Sequence, residues 1–344
     1  MPDLTVLGQD PRYGGGARAQ MDAFLDAARA LGHDPSLVYV PHPTFDGRVF
    51  TVDRIEPLRV LRGRPALTPP LWVVSTTAHH GVAAARSGLP YDCWIGAALA
   101  DEWRGRSYGV PRSRRAAYAA TGPALRRLER RVLRRARRVF ATSAWSRATV
   151  AEAGGVDVGI LPLPVDLETF MPEPDAEWLR RLERPVVAFV GRADDPRKNV
   201  DLLLDALPLM PGVHVRLIGA PPSRPLPAGV EALGVVASVA EHLRTASLLV
   251  LPAHQEGFGI AAAEALAAGV PVVATRSGGP EELLDRSGGG RLLEGWSPEE
   301  LAVTCLELLG DVATLTAMRR RGRDYVAREH SPERLRAALA EVLD

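Results

Sequence analysis

The densest set of residues able to do chemistry lies in LLVLPAHQEGFGIAAAEALAAGVPVVATRSGGPEELL, Leu248 to Leu284. Glu256 stands in a glycine-rich loop and Glu264 on the helix expected after it, with seven residues between them. Eight helical steps leave the two about 80° apart around the axis and about 12 Å apart along it. Carboxylates so placed can accept hydrogen bonds from hydroxyls at two ends of one elongated ligand. Between them, Gly257, Phe258, Gly259 and Ile260 open the helix. The first amides of a helix lack intrahelical partners and sit at the positive end of its dipole, which favours an anion such as a diphosphate. Glycine there lets the backbone come close to the ligand. An isolated glutamate pair would read as a first-turn acid and a solvated helix position; the flanking strands and glycines favour a ligand.

A second constellation is VGRADDPRKN, Val190 to Asn199, where Arg192 and Lys198 stand six residues apart. Lys198 is the chain's only lysine: of 42 basic residues, 41 are arginine. The two side chains differ in shape and hydration, so a single lysine in so arginine-rich a chain marks its position. The plain alternative is a solvated loop residue.

These residues need elements to hold them. Short apolar strands alternate with helix-period segments almost throughout, which predicts parallel sheets covered on both faces. Strands are expected at 4–7, 37–40, 71–75, 139–142, 159–161, 186–190, 213–218, 248–251 and 272–275, and helices at 199–207, 260–268 and 332–343. Five prolines between Leu161 and Pro185 read as a linker. The expected architecture is α/β, two Rossmann-like doubly wound domains. Residues 1–165 form the first and 166–328 the second, with a last helix at 329–344 crossing back to the first. Such sheets bind ligands beyond the carboxyl ends of their strands, where both constellations fall.

Composition narrows the function classes. The 344 residues carry 42 basic and 41 acidic side chains, a net charge of +1, which does not suggest nucleic acid. Cys93 and Cys305 are too far apart for a disulfide framework or a Cys-x-x-Cys metal site. The amino terminus does not read as a signal peptide and no apolar run approaches the length of a spanning helix. A cytoplasmic protein is expected, with peripheral contact at the inner membrane face as a further option. The absence of Asp-x-Asp and of paired histidine ligands argues against a metal, and no cofactor is expected.

The stretch from Leu248 resembles the family 4 retaining glycosyltransferases of group 1, which have the GT-B fold: two Rossmann-like domains and an interdomain cleft. The resemblance rests on Glu256, Gly257, Phe258, Gly259, Glu264, Gly269, Pro271, Val272, Val273, Ala274, Thr275, Gly278 and Gly279. It implies that Glu256 contacts hydroxyls of a donor sugar and Glu264 holds the nucleotide ribose. Arg192 and Lys198 match the family's cations on the donor diphosphate. Breaking a sugar–phosphate bond leaves charge on the departing nucleotide, which two fixed cations stabilise most in the transition state. Gly14-Gly15-Gly16 resembles the amino-terminal loop that approaches the donor phosphates, with Gly15 and Gly16 as contacts. His79 or His80 corresponds to a histidine facing donor sugar and acceptor. The implied activity is transfer of a sugar from a nucleotide-sugar donor, with retention, to an unidentified glycan, lipid or small-molecule acceptor. A nucleotide-sugar epimerase and a non-catalytic nucleotide-sugar-binding protein are the alternatives.

The chain departs from the family at Cys93-Trp94-Ile95-Gly96-Ala97, at Pro162-Leu163-Pro164-Val165-Asp166, which lacks Asn-Gly, and at Gly278-Gly279-Pro280, where the proline is shifted by one. These changes bear on the acceptor more than on the donor. One feature is left over. Between Arg112 and Arg138 there are eleven arginines and one acid, Glu129. Leu125, Leu128, Val132, Leu133, Ala136 and Val139 form an apolar stripe, so the run reads as an amphipathic helix. Its basic face suits anionic lipid headgroups or is simply solvated.

Overall fold

A computed structural model describes residues 3–11, 15–40, 63–108, 110, 112–222 and 224–343. The chain forms two compact units. The first holds 1–104, 111–164 and 332–344, and the second holds 105–110 and 165–331.

Unit 1 is built on a parallel sheet in the order β2-β1-β3-β4-β5-β6. The strands are β1 (Leu4–Leu7), β2 (Pro35–Val38), β3 (Leu71–Ser75), β4 (Asp92–Ile95), β5 (Val139–Ala141) and β6 (Gly159–Ile160). LTVL, LWVVS and DCWI are buried along their whole length, because helices cover both faces of the sheet. The helices are α1 (Gly16–Ala30), α2 (Val82–Ser87), α3 (Leu99–Arg106, its last two residues counted with unit 2), α4 (Arg112–Arg135) and α5 (Ala144–Gly154). Phe24 of α1 packs on Trp72 of β3 and Trp94 of β4, with ring centroids 5.0 and 6.1 Å apart. Because β2 lies on one side of β1 and β3 on the other, the strand order reverses between β1 and β3.

The α4 helix ends at Arg135, so Val139 belongs to β5 and not to the helical stripe. Val132 and Leu133 are fully buried. Five of the eleven arginines serve unit 1 itself. Arg130 and Arg134 donate to Ala153 and Gly154 carbonyls, Arg135 to that of Ala85, and Arg137 and Arg138 pair with buried Asp92. Arg112, Arg115, Arg126, Arg127 and Arg131 are exposed.

Unit 2 carries a parallel sheet in the order β12-β11-β10-β7-β8-β9. Its strands are β7 (Val186–Val190), β8 (His214–Ile218), β9 (Val230–Gly234), β10 (Leu248–Leu251), β11 (Val272–Thr275) and β12 (Gly290–Leu293). Its helices are α6 (Asp175–Arg181), α7 (Val200–Ala206), α8 (Val239–Arg244), α9 (Ile260–Ala267), α10 (Gly279–Ser287), α11 (Pro298–Gly310) and α12 (Val312–Glu329); α13 (Pro332–Ala340) returns to unit 1 and packs on α1. The strand order reverses between β7 and β10. That is the position where doubly wound sheets bind ligands.

The proline-rich segment is tied to unit 2 by two arginines of α12. Arg319 donates to the carbonyls of Glu173 and, at 2.9 Å, Gly269, and Arg323 donates to those of Leu167, Phe170 and Ala267. A segment with few amide donors cannot join a ladder, so its carbonyls need such partners. Residues 105–110 belong to unit 2, where the Tyr108 ring stacks on His254, a long-range contact that strand and helix periodicity does not encode. Among the described residues no single helix is long and apolar enough to cross a membrane.

Candidate functional site

In unit 2 the loops after β7 and β10 flank the reversal and are stitched together. Asp195 caps the turn Pro196–Lys198, its carboxylate accepting from the Arg197 amide at 3.0 Å. Asn199 ends that turn at φ 50, a left-handed conformation that asparagine tolerates, and its side-chain Nδ2 donates to the Pro252 carbonyl at 3.1 Å. The His254 amide donates to the Arg197 carbonyl at 2.8 Å, and the Arg197 guanidinium reaches Gln255 at 3.3 Å. Lys198 then meets Glu256 in an ion pair, Nζ to Oε1. Arg192 lies partly exposed with its guanidinium 3.3 Å from Asp194.

The glycines set the next layer. The Glu256 amide donates to the Ser277 carbonyl at 2.7 Å, and the Gly279 amide to the Glu256 carbonyl at 3.1 Å. The loops after β10 and β11 therefore run side by side. A Cβ at Gly279 would clash with the carbonyl of Gly257 and lie 2.6 Å from Cα of Phe258. Gly259 caps α9 at φ 81, and a Cβ there would lie 2.9 Å from Pro280 Cγ. With no capping side chain on Gly259, the amides that open α9 at Ile260 are left to other partners. Phe258 is buried against His330, the ring centroids 4.9 Å apart.

Glu264 sits on α9 among alanines. Its carboxylate has no hydrogen-bond or ion-pair partner among the described residues, and loss of water pushes the carboxyl up to about 8. A carboxyl held this way can take hydroxyl partners that replace the lost water.

In unit 1 the candidates also fall at the reversal, between β1 and β3. Gly15, at φ 73, precedes α1, and Gly16 is its first residue; Gly14 lies outside the described residues. His79 and His80 form the turn Ala78–Gly81 after β3 and are buried, with ring centroids 4.1 Å apart. His79 Nδ1 is 2.8 Å from the Thr77 hydroxyl. His80 Nε2 is 2.9 Å from the side-chain amide of Gln9, which links the loop after β1 to the turn after β3.

Asp195, Asn199, Gln255 and Gln9 join the predicted residues as their supports. Asp195 before Pro196 has the form of a helix cap with proline at the first position, and Asn199 suits a left-handed turn end. Gln9 and Gln255 carry no local signal, since each is recruited by a partner distant in sequence.

Known proteins share this plan. Residues 184–311 match the family described as Glycosyl transferases group 1. Over 94% of its length the chain is 30% identical to a GDP-mannose-dependent alpha-(1-6)-phosphatidylinositol monomannoside mannosyltransferase of Mycobacterium tuberculosis, and the match covers 86% of that protein. The chain belongs to the group 1 glycosyltransferases. Among solved structures it resembles the sucrose-phosphate synthase of Thermosynechococcus elongatus, with a TM-score of 0.79 at 16% identity, covering 98% of this chain and 97% of that one. It also resembles Anabaena HepE in complex with UDP and glucose, with a TM-score of 0.75 at 18% identity, covering 100% and 99%. The fold is GT-B, and this group 1 glycosyltransferase is a sugar-transferring enzyme with two six-stranded parallel sheets.

Proposed function

We propose that this glycosyltransferase moves a hexose, with retention of configuration, from a nucleoside-diphosphate sugar to a hydroxyl of a lipid-linked polyol. One observation carries the reading. Lys198, the only lysine, meets Glu256 where the loops after β7 and β10 are stitched together, beside a helix start with no side-chain cap. Lys198 and Arg192 then hold the donor diphosphate with the opening amides of α9. Glu256 accepts from sugar hydroxyls and Glu264 from the ribose. In unit 1 the family resemblance gives Gly15 and Gly16 a phosphate role and His79 or His80 a role at the sugar. With those cations present, no metal is required.

The acceptor oxygen bonds to the sugar C1 on the face from which the diphosphate leaves. The C1–O bond to phosphate breaks, and the acceptor proton passes to the departing phosphate oxygen. Arg192 and Lys198 stabilise the charge that develops there. The Mycobacterium tuberculosis relative is GDP-mannose-dependent and named for a phosphatidylinositol monomannoside, so GDP-mannose and phosphoinositide glycolipids are the first substrates to try. The exposed arginines of α4 suit an anionic bilayer carrying such an acceptor.

The test is mass spectrometry of vesicles containing phosphatidylinositol monomannoside, incubated with GDP-, UDP- and ADP-sugars in turn. A glycosylated lipid and free nucleoside diphosphate are expected with one donor. Lys198→Ala and Glu264→Ala should each cut turnover or donor affinity about tenfold or more. Full activity in both variants overturns the site. Sugar isomerisation with donor alone would instead make the protein an epimerase.

A further inference from the structure

Unit 2 also holds a three-ring stack that the proposed transfer leaves unused. His254 follows β10, Tyr108 comes from the 105–110 segment, and Trp296 from the loop after β12. The Tyr108 ring lies 4.2 Å from that of His254 with the planes 19° apart, and Trp296 lies 5.7 Å from it, tilted by 51°. Three distant parts of the chain therefore converge on one imidazole.

Other large aromatic residues, Trp72, Trp94, Trp178 and Tyr91, are enclosed, whereas Tyr108 is 44% and Trp296 49% exposed. Leaving such surface in water forfeits the burial that stabilises the other rings. Burial also holds the pKa of this imidazole below the usual value. Its Nδ1 has no hydrogen-bond partner among the described residues, so flanking rings and the backbone bond to Arg197 hold it in place.

The stack is mounted on residues that flank the proposed donor clamp. A Cβ at Gly105 would lie 2.7 Å from Gln255 Cβ and 3.0 Å from Arg197 Cγ, so the segment carrying Tyr108 packs directly on both residues. His254 is two residues from Glu256, at most about 7 Å along an extended backbone.

We propose that Tyr108, His254 and Trp296 form a stacking subsite for the six-membered polyol ring of the acceptor, a pyranose or a cyclitol. Such a ring has a C–H face with partial positive charge that matches the negative face of an aromatic ring, while its rim hydroxyls stay in water. A ring held there lies close along the chain to Glu256, where the proposed function places the donor sugar. The acceptor role rests on that function; ring binding is measurable without turnover.

The experiment is saturation-transfer NMR on the full chain with methyl α-D-mannopyranoside and with myo-inositol. Saturation of C–H protons on one ring face is expected for at least one probe. Trp296→Leu and Tyr108→Leu should each weaken it about tenfold, whereas Trp296→Phe, which keeps a ring, should retain most of it. Glu256→Gln should leave probe binding in place, separating this subsite from the donor sugar's. GDP-mannose and UDP-glucose binding should persist in Trp296→Leu and Tyr108→Leu, which also shows that these variants are folded. No saturation of either probe overturns the proposal, as do equal affinities in wild type and both leucine variants, or joint loss of nucleotide-sugar binding. Ring binding in a wild type that takes no nucleotide sugar would keep the subsite and sink the donor assignment.

Discussion

Replacing Glu264 by glutamine probes the site through stability. Its carboxyl rises from 4.5 to about 8 because folding strips its water and supplies no compensating partner among the described residues. A folded-state value above the unfolded one means that the folded chain binds the proton more tightly. The stability this contributes is complete below about pH 4.5 and is lost as pH rises towards 8. Each tenfold in proton affinity is worth about 1.4 kcal/mol, so the full window reaches about 5 kcal/mol and about 3 has been lost by pH 7. Solvent access at the helix surface lowers these upper bounds, leaving about 2 kcal/mol at pH 7 to 8. Glutamine keeps the shape without the ionisation.

Thermal melting followed by circular dichroism at pH 5, 6, 7 and 8 reads this directly. Glu264→Gln should melt close to wild type at pH 5 and about 4–8 °C higher at pH 8, at about 2–4 °C per kcal/mol for a unit of this size. Saturating nucleotide sugar should stabilise wild type more than the variant, since only the carboxylate accepts two ribose hydrogen bonds. A melting difference equal at pH 5 and pH 8 would refute the desolvated carboxyl and its assignment to the ribose.

Two further outcomes follow from packing and charge. Gly279→Ala forces a methyl onto the carbonyl of Gly257, so it should destabilise unit 2 by about 1–3 kcal/mol and abolish donor binding, measured by thermal melting and calorimetric titration. Converting Arg126, Arg127 and Arg131 of α4 to glutamate should release the protein from anionic vesicles in a flotation assay; unchanged flotation would remove the membrane reading of that face.

The strands whose ends are legible in the sequence are interior strands of the two sheets. β1, β3, β7, β10 and β11 have the expected ends because unbroken apolar runs bounded by glycine or polar residues leave little freedom. β4, β9 and β12 lie outside the expected strands: β4 is DCWI, opened by an aspartate, β9 is a sheet edge whose Glu231 and Ala232 are exposed, and β12 is only GRLL. Pairing of β4 with β3 and β5, of β9 with β8 and of β12 with β11 makes them strands, which no local pattern announces. The basic helix was legible, but Val139 followed the same apolar spacing across its end and into β5.

By itself the sequence determined the site's chemical inventory: one lysine six residues after Arg192, two glutamates eight apart, and glycines where loops open helices. Those are local matters of spacing and conformational freedom. The tertiary structure decided which of them meet. Lys198 and Glu256 are 58 residues apart and come together only because the crossovers set β10 beside β7. The same holds for Gln9 with His80 and for the two rings that pack on His254. The water lost around Glu264 is likewise a property of the packed unit, because desolvation depends on everything folded around a group and not on its neighbours in the chain.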